Sequence, residues 1–180
     1  VALDSSNVRV AVTGAVSVGP TGTTAPTDAD TALAVGFVDL GYVGEDGVTE
    51  TRDRSTDTIK AWQNAAIIRE VVTEAKLSYN FVLVETNKAT VELFYGTTVA
   101  ADGSIVINPG SGSGRHSLVL DVVDGDEVIR AYIPEAEVTE VGDQVYASGE
   151  PIGYEVTVTA YPSTALAGGT AKKWYSSLAS

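Results

Sequence analysis

Apolar side chains return at every second position in several short stretches of this chain, the period of a strand with one face covered. Val8, Val10 and Val12 alternate with Arg9, Ala11 and Thr13 and run on into Ala15-Val16-Ser17-Val18, which predicts a first strand. The Gly, Pro, Thr and Asp residues from Gly19 to Asp28 stop it, with a brief turn expected at Asp28-Ala29-Asp30. Phe37 to Val43 reads as a second strand. Leu77, Tyr79, Phe81 and Leu83 place large apolar groups on one face of another. Leu118, Leu120 and Val122 lead into Asp124-Gly125-Asp126 and out through Val128 to Ile133, a hairpin with an Asp-Gly turn. Tyr154, Val156, Val158 and Ala160 form a final strand that Pro162 ends.

Two stretches depart from that period. From Thr86 to Gly96 the spacing of Val91, Phe94 and Tyr95 is i, i+3, i+4; Thr86 or Asn87 can cap the start, and Gly96 suits a left-handed exit. This predicts one helix lying on a sheet. The second departure is Glu45 to Asp57, where five carboxylates and two arginines follow directly on an apolar segment. Such a stretch has no apolar face to bury in its own domain, so it reads as a long polar loop that protrudes. Beyond it Thr58-Ile59-Lys60-Ala61-Trp62-Gln63 alternates, Asn64-Ala65 offers a turn, and a strand follows from Ile67 to Thr73. A helix across residues 57–77 competes, because Ala, Glu, Lys and Gln are good helix formers. The doubly β-branched pairs Ile67-Ile68 and Val71-Val72 favour strands.

The fold class expected is therefore mainly β, a β-sandwich or barrel with one flanking α-helix and a long protruding loop. Composition agrees: 44% of the 180 residues are hydrophobic, enough for a core, and valine, threonine and glycine recur throughout. A single domain over residues 1–180 is expected, with a loop at 44–58, a Gly/Ser-rich loop at 108–115 and a C-terminal tail at 163–180. Aromatics in the tail, Trp174 and Tyr175, either anchor on a partner or fold back on the domain.

Charge and chemistry narrow the function. A formal net charge of −13 is the wrong sign for nucleic-acid binding, which draws affinity from lysine and arginine. With no cysteine there is no disulfide, thiolate or cysteine-ligated zinc, and one histidine, His116, cannot build a histidine-rich metal site. No apolar run approaches the ~20 residues that span a bilayer. No signal peptide is legible at Val1-Ala2-Leu3-Asp4, which predicts synthesis in the cytosol. Gly110-Ser111-Gly112-Ser113-Gly114-Arg115 lacks the Lys-Ser/Thr ending of a phosphate loop and precedes a strand, so it reads as a linker. The acids Asp121, Asp124, Asp126 and Glu127 lack the spacing of a calcium loop and fit a solvated turn. His116 beside Ser113 and Ser117 is a nominal pair without a nucleophile elbow. No cofactor, metal or catalytic residue is expected, and the chain is not read as an enzyme.

Several segments in order resemble the major tail protein, or tail tube protein, of long-tailed, non-contractile phages, particularly those of actinobacterial hosts. They are Phe37-Val38-Asp39-Leu40-Gly41-Tyr42-Val43 with Glu45-Asp46-Gly47-Val48-Thr49-Glu50, then Ile59-Lys60-Ala61-Trp62-Gln63, Glu85-Thr86-Asn87 through Leu93-Phe94-Tyr95-Gly96, and Tyr154 to Tyr161. The resemblance implies a virion protein that polymerises as hexameric rings stacked into the tail tube. DNA passes through the lumen without specific binding, other tail proteins meet the tube ends, and nothing inserts in a membrane. The virion tail is the implied location, with assembly in the host cytoplasm. The long loop is then the place for contacts between subunits, by way of Glu45, Asp46, Glu50, Arg52, Asp53, Arg54, Asp57, Lys60 and Trp62, reaching either within a ring or between rings. Arg52 and Arg54 suit two-bond pairing with carboxylates on the next subunit. A different class, a β-sandwich adhesion or carbohydrate-binding module, would use Trp62, Tyr95 and Trp174 as a stacking platform.

Overall fold

The computed structural model describes residues 3–179; Val1 and Ala2, from the stretch inspected for a signal peptide, and Ser180, at the end of the expected tail, lie outside them. Eight strands, β1 (Thr13–Pro20), β2 (Val38–Asp39), β3 (Val43–Lys60), β4 (Ile67–Leu83), β5 (Arg115–Asp124), β6 (Glu127–Val141), β7 (Tyr154–Ala160) and β8 (Lys172–Tyr175), form one sheet. The order is β2-β1-β5-β6-β7-β4-β3, and every pairing is antiparallel. β7 pairs with the second half of β6, opposite Ala136–Val141, while β8 takes the first half of the same edge, opposite Ile129–Tyr132.

Alternation decides the core. Val16 of β1, Tyr79, Phe81 and Leu83 of β4, Leu118 and Leu120 of β5, Ala131 and Ile133 of β6, and the even positions of β7 from Tyr154 to Ala160 meet in one buried cluster. Residues from strands far apart in the sheet order can share one core only if the sheet curls, and β1 does come into contact with β3. The architecture is a barrel-like sheet left partly open. α1 (Lys88–Tyr95) lies on it with Leu93 and Thr90 buried.

That helix has the ends read from the sequence. Asn87, extended at φ −116°, accepts a bond from the Thr90 amide at 2.9 Å, and Gly96 leaves the helix at φ 62° with its amide bonded to the Glu92 carbonyl. The cap also places the helix: Asn87 Nδ2 and Thr90 Oγ1 both donate to the Leu40 carbonyl at 2.9 Å. Among the described residues no helix is long and apolar enough to cross a membrane.

Three expectations change, and one left open, the course of the tail, is decided in favour of folding back on the domain. The first strand begins at Thr13, and Val8, Val10 and Val12 are exposed; its partner β5 ends at the turn after Asp124, and the backbone bond from the Val12 amide to the Val123 carbonyl lies at the end of the ladder. The second strand shrinks to Val38–Asp39, because Gly41 at φ 89° breaks it after buried Leu40. The tail adds β8, which covers an edge of β6 that β7 leaves unpaired.

The largest correction concerns the predicted loop at 44–58. The protrusion is present but it is a strand: β3 pairs with β4 from Val48–Phe81 to Lys60–Ile67, with bulges at Thr73 and Ile68 of β4, around a turn in which Asn64 and Ala65 adopt φ 57° and 52°. A strand needs a backbone partner rather than an apolar face of its own, and threonine at positions 49, 51, 56 and 58 favours the extended chain. Strand β7 flanks β4 only along Leu77–Leu83. The rest of the hairpin therefore projects as a two-stranded arm about 30 Å long, counting the eight residues from Asp53 to Lys60 and the turn beyond them.

Candidate functional site

Both faces of the arm are open, and Glu45, Asp46, Glu50, Arg52, Asp53, Arg54, Asp57, Lys60 and Trp62 are all exposed. Strand geometry sorts them, since successive side chains point to opposite faces. Glu50, Arg52, Arg54 and Lys60 continue the core-facing side, opposite Tyr79, Leu77, Ala75 and Ile67. Asp53 and Asp57 take the other side, opposite Lys76 and Val71. The structure thus brings the basic residues of β3 together on one face and the two acids on the reverse. Glu45 and Asp46 stand apart from this array, in the irregular stretch between the Val43–Leu83 and Val48–Phe81 pairs where Gly47 has φ 67°.

Glu50 is the exception in having a partner, the Lys173 ammonium of β8. This contact ties the root of the arm to the folded-back tail. Beneath it the Tyr79 phenol is fully buried, and burial beside the Glu50 carboxylate holds it well above its ordinary range.

At the far end, Trp62 sits in the turn with 97% of its surface exposed. Ile59, Ile67, Ile68, Val71 and Val72 are exposed around it. Sequence reading did not gather these residues into a surface. The signal was there in Ile67-Ile68 and Val71-Val72: adjacent apolar pairs cannot both face one side of a strand, and a strand projecting from the sheet covers neither side.

Charge is distributed unevenly between arm and body. Residues 52–76 hold five of the eleven lysines and arginines but only four of the twenty-four acids. Outside the arm Arg9, Lys88, Arg115, Arg130 and Lys173 are all in ion pairs, and the Lys172 ammonium lies 4.7 Å from the Trp174 ring centre. Among the described residues, Arg52, Arg54, Lys60, Arg69 and Lys76 of the arm make no ion pair. Arg69 and Lys76 join the basic set that the sequence reading had confined to β3.

The other candidate groups are engaged in holding the fold. Asp121 takes two bonds from Arg130, at 2.7 and 2.9 Å, Asp124 accepts from the Val10 amide, and Glu127 pairs with Arg9. His116 Nε2 donates to the Ser113 carbonyl at 2.7 Å, and Ser117 Oγ donates to the Pro134 carbonyl, so neither serine hydroxyl meets the imidazole. Trp62, Tyr95 and Trp174 occupy three different elements: the arm tip, the last residue of α1, where the phenol donates to Gln144, and β8 opposite Arg130.

A family model described as phage tail tube protein matches residues 1–177. No curated protein matches the sequence. Three solved assemblies contain a chain that aligns with most of this one. One is the tube-terminating cap of the anti-feeding prophage, at 9% identity over 96% of this chain and 93% of that one, TM-score 0.49. The second is an extracellular contractile injection system, a PVC sheath–tube complex in the extended state, at 10% identity over 96% and 98%, TM-score 0.43. The third is the virion of a native gene transfer agent particle, at 10% identity over 80% and 92%, TM-score 0.39.

Proposed function

The chain belongs to the phage tail tube protein family, and on that premise we propose that it is a structural subunit without enzymatic activity whose arm joins it to neighbouring copies. Rings of six stack into the tail tube of a long-tailed phage, assembled in the host cytoplasm and completed at its ends by other tail proteins. The observation that carries this reading is the division of basic residues: every arginine of the body is in an ion pair within the chain, while among the described residues the five basic residues spread along the arm make none, and two of them, Lys60 and Arg69, stand next to the turn with exposed Trp62, Ile67 and Ile68. Unpaired guanidinium groups next to an exposed aromatic have the composition of an interface centre. A ring needs unlike surfaces that meet head to tail, and stacking needs a further pair along the axis. An arm about 30 Å long reaches well beyond the sheet that carries it.

The net charge of −13 fits a conduit. Carboxylates around a lumen repel phosphates, so DNA moves through without the friction that specific binding would cause.

The arm is tested by removing both of its strands together. Deleting residues 45–57 alone would leave β4 without its partner. Replacing residues 52–76 with Asn-Gly joins the paired Thr51 and Ser78 through Leu77 by a short turn. The expected result is a folded monomer, with the cooperative thermal transition of the parent, that forms neither rings nor tubes by negative-stain microscopy. Tubes formed by this variant would refute the docking role.

A further inference from the structure

A crevice of about 590 Å³ opens between the C-terminal end of α1, the loop over residues 107–113 and the chain leaving β6 over residues 138–144. Its size is that of a small-ligand site, but its lining differs from the engaged groups elsewhere. Phe94, Ile107 and Val141 supply apolar wall, with Ile107 57% and Val141 53% exposed. Glu140 and Asp143 lie on its rim, no lysine or arginine lines it, and among the described residues neither acid takes part in an ion pair or side-chain hydrogen bond. One wall is fixed, because the Gly112–Ser113 backbone packs so closely on Gly96 that a Cβ there would sit 2.7 Å from it.

We propose that this crevice receives the arm tip of a second copy of the chain, with the Trp62 indole seated against Phe94, Ile107 and Val141, and Lys60 and Arg69 paired to Glu140 and Asp143. The proposal rests on the arm docking to a neighbour and adds where it docks. Charge complementarity selects the occupant: the arm holds five basic residues against four acids, while the remainder of the chain holds six against twenty. Lys60 and Arg69 flank the turn that carries Trp62 from opposite faces of the arm, Arg69 sharing the face of Ile59 and Lys60 that of Ile67, so a tip that enters with its indole foremost carries one cation to each side of the rim. A second crevice of about 570 Å³, between β1 and the start of β3, is a poorer receptor. Three of its four acids are already committed, Asp39 to the Gly41 amide, Glu85 to the Tyr42 amide and Asp121 to Arg130.

The absence of cysteine allows a clean test by disulfide trapping in the full chain. A variant carrying Trp62→Cys and Val141→Cys is expected to give, on oxidation of assembled material, a ladder of cross-linked dimers, trimers and higher species, with either substitution alone stopping at dimers. Trp62→Cys with Val12→Cys is expected to give no ladder. A ladder from the Val12 pair instead would overturn the receptor assignment and leave arm docking intact; assembled tubes with no ladder from either pair would overturn it equally. Should loss of the indole prevent assembly, charge reversal decides. Glu140→Lys with Asp143→Lys is expected to raise the critical concentration for assembly about tenfold or more, and Lys60→Glu with Arg69→Glu in the same chain to bring it back. Wild-type-like assembly of the first variant, or no recovery in the second, sinks the proposal. A parent chain that stays monomeric at every concentration would instead remove the tube reading on which it stands.

Discussion

Arg130 links three parts of the chain with one guanidinium. It holds Asp121 through two parallel bonds, and its remaining nitrogen donates to the carbonyls of Asp28 at 3.1 Å and Thr31 at 2.6 Å, so the turn at 28–31 is fastened to the β5–β6 hairpin. Arg130 is 6% exposed, and the Asp121 bonds hold its pKa above the ordinary arginine value. The turn is also self-supporting. The hydroxyl and amide of Thr31, helped by the Thr27 hydroxyl and the Asp30 amide, hold the Asp28 carboxyl far below the usual carboxylate range. A depressed carboxylate contributes stability in full above its unfolded pKa, and that contribution drains away as pH falls from the unfolded value through the lowered one, so the turn favours the fold at neutral pH and ceases to do so in acid. Removing the guanidinium leaves a carboxylate and two carbonyls without their partner. Arg130→Ala is expected to cost about 3 kcal/mol, seen as a fall in Tm of roughly 10 °C; a change under 2 °C would show that water replaces the contact. The pairing was legible in the sequence to anyone who counted outward from the Asp-Gly turn, since Asp124 opposite Glu127 places Asp121 opposite Arg130. The two carbonyls were not, because they lie about a hundred positions away along the chain.

Among the elements, α1 was legible nearly to its end residues because both of its signals are local: a side-chain oxygen at Asn87 and a residue without Cβ at Gly96. Gly96 carries two demands at once, a positive φ and the close approach of the Gly112–Ser113 backbone. Gly96→Ala is therefore expected to cost more than the ~1 kcal/mol typical of a left-handed glycine, about 2 kcal/mol or more by chemical denaturation, and a cost below 1 kcal/mol would mean that the loop yields freely. The arm is the opposite case. Polar residues with no apolar alternation give a strand no signature from period alone, and the pairing that makes β3 a strand lies in Ile67 to Leu83, from seven to forty residues on. Val8 to Val12 fails in reverse, with a strand pattern that has no partner strand alongside.

For the whole molecule two electrostatic effects oppose one another. Copies carrying −13 repel at low ionic strength, whereas the attraction of the arm for an acidic body is lost when salt is high. Screening acts over about 8 Å at physiological ionic strength and about 3 Å at 1 M. Assembly followed by light scattering is accordingly expected to rise with salt, pass through a maximum and fall toward 1 M. A rise without a maximum would show that apolar burial of Trp62 and its neighbours holds the contact by itself.

The sequence alone determined what depends on neighbours along the chain: the β-rich class from its alternation, the single capped helix, the Asp-Gly hairpin and the unsuitability of the acidic composition for binding DNA. It also marked residues 45–57 as having no core to join. Tertiary structure alone decided what that segment is. Backbone pairing between β3 and β4 turned an expected loop into a two-stranded arm, put the basic residues of β3 on one face, and among the described residues left the arm's basic groups without ion pairs while every other arginine and all but one of the other lysines found a carboxylate. Register and contact between distant positions set those outcomes, and neither is written in any local pattern.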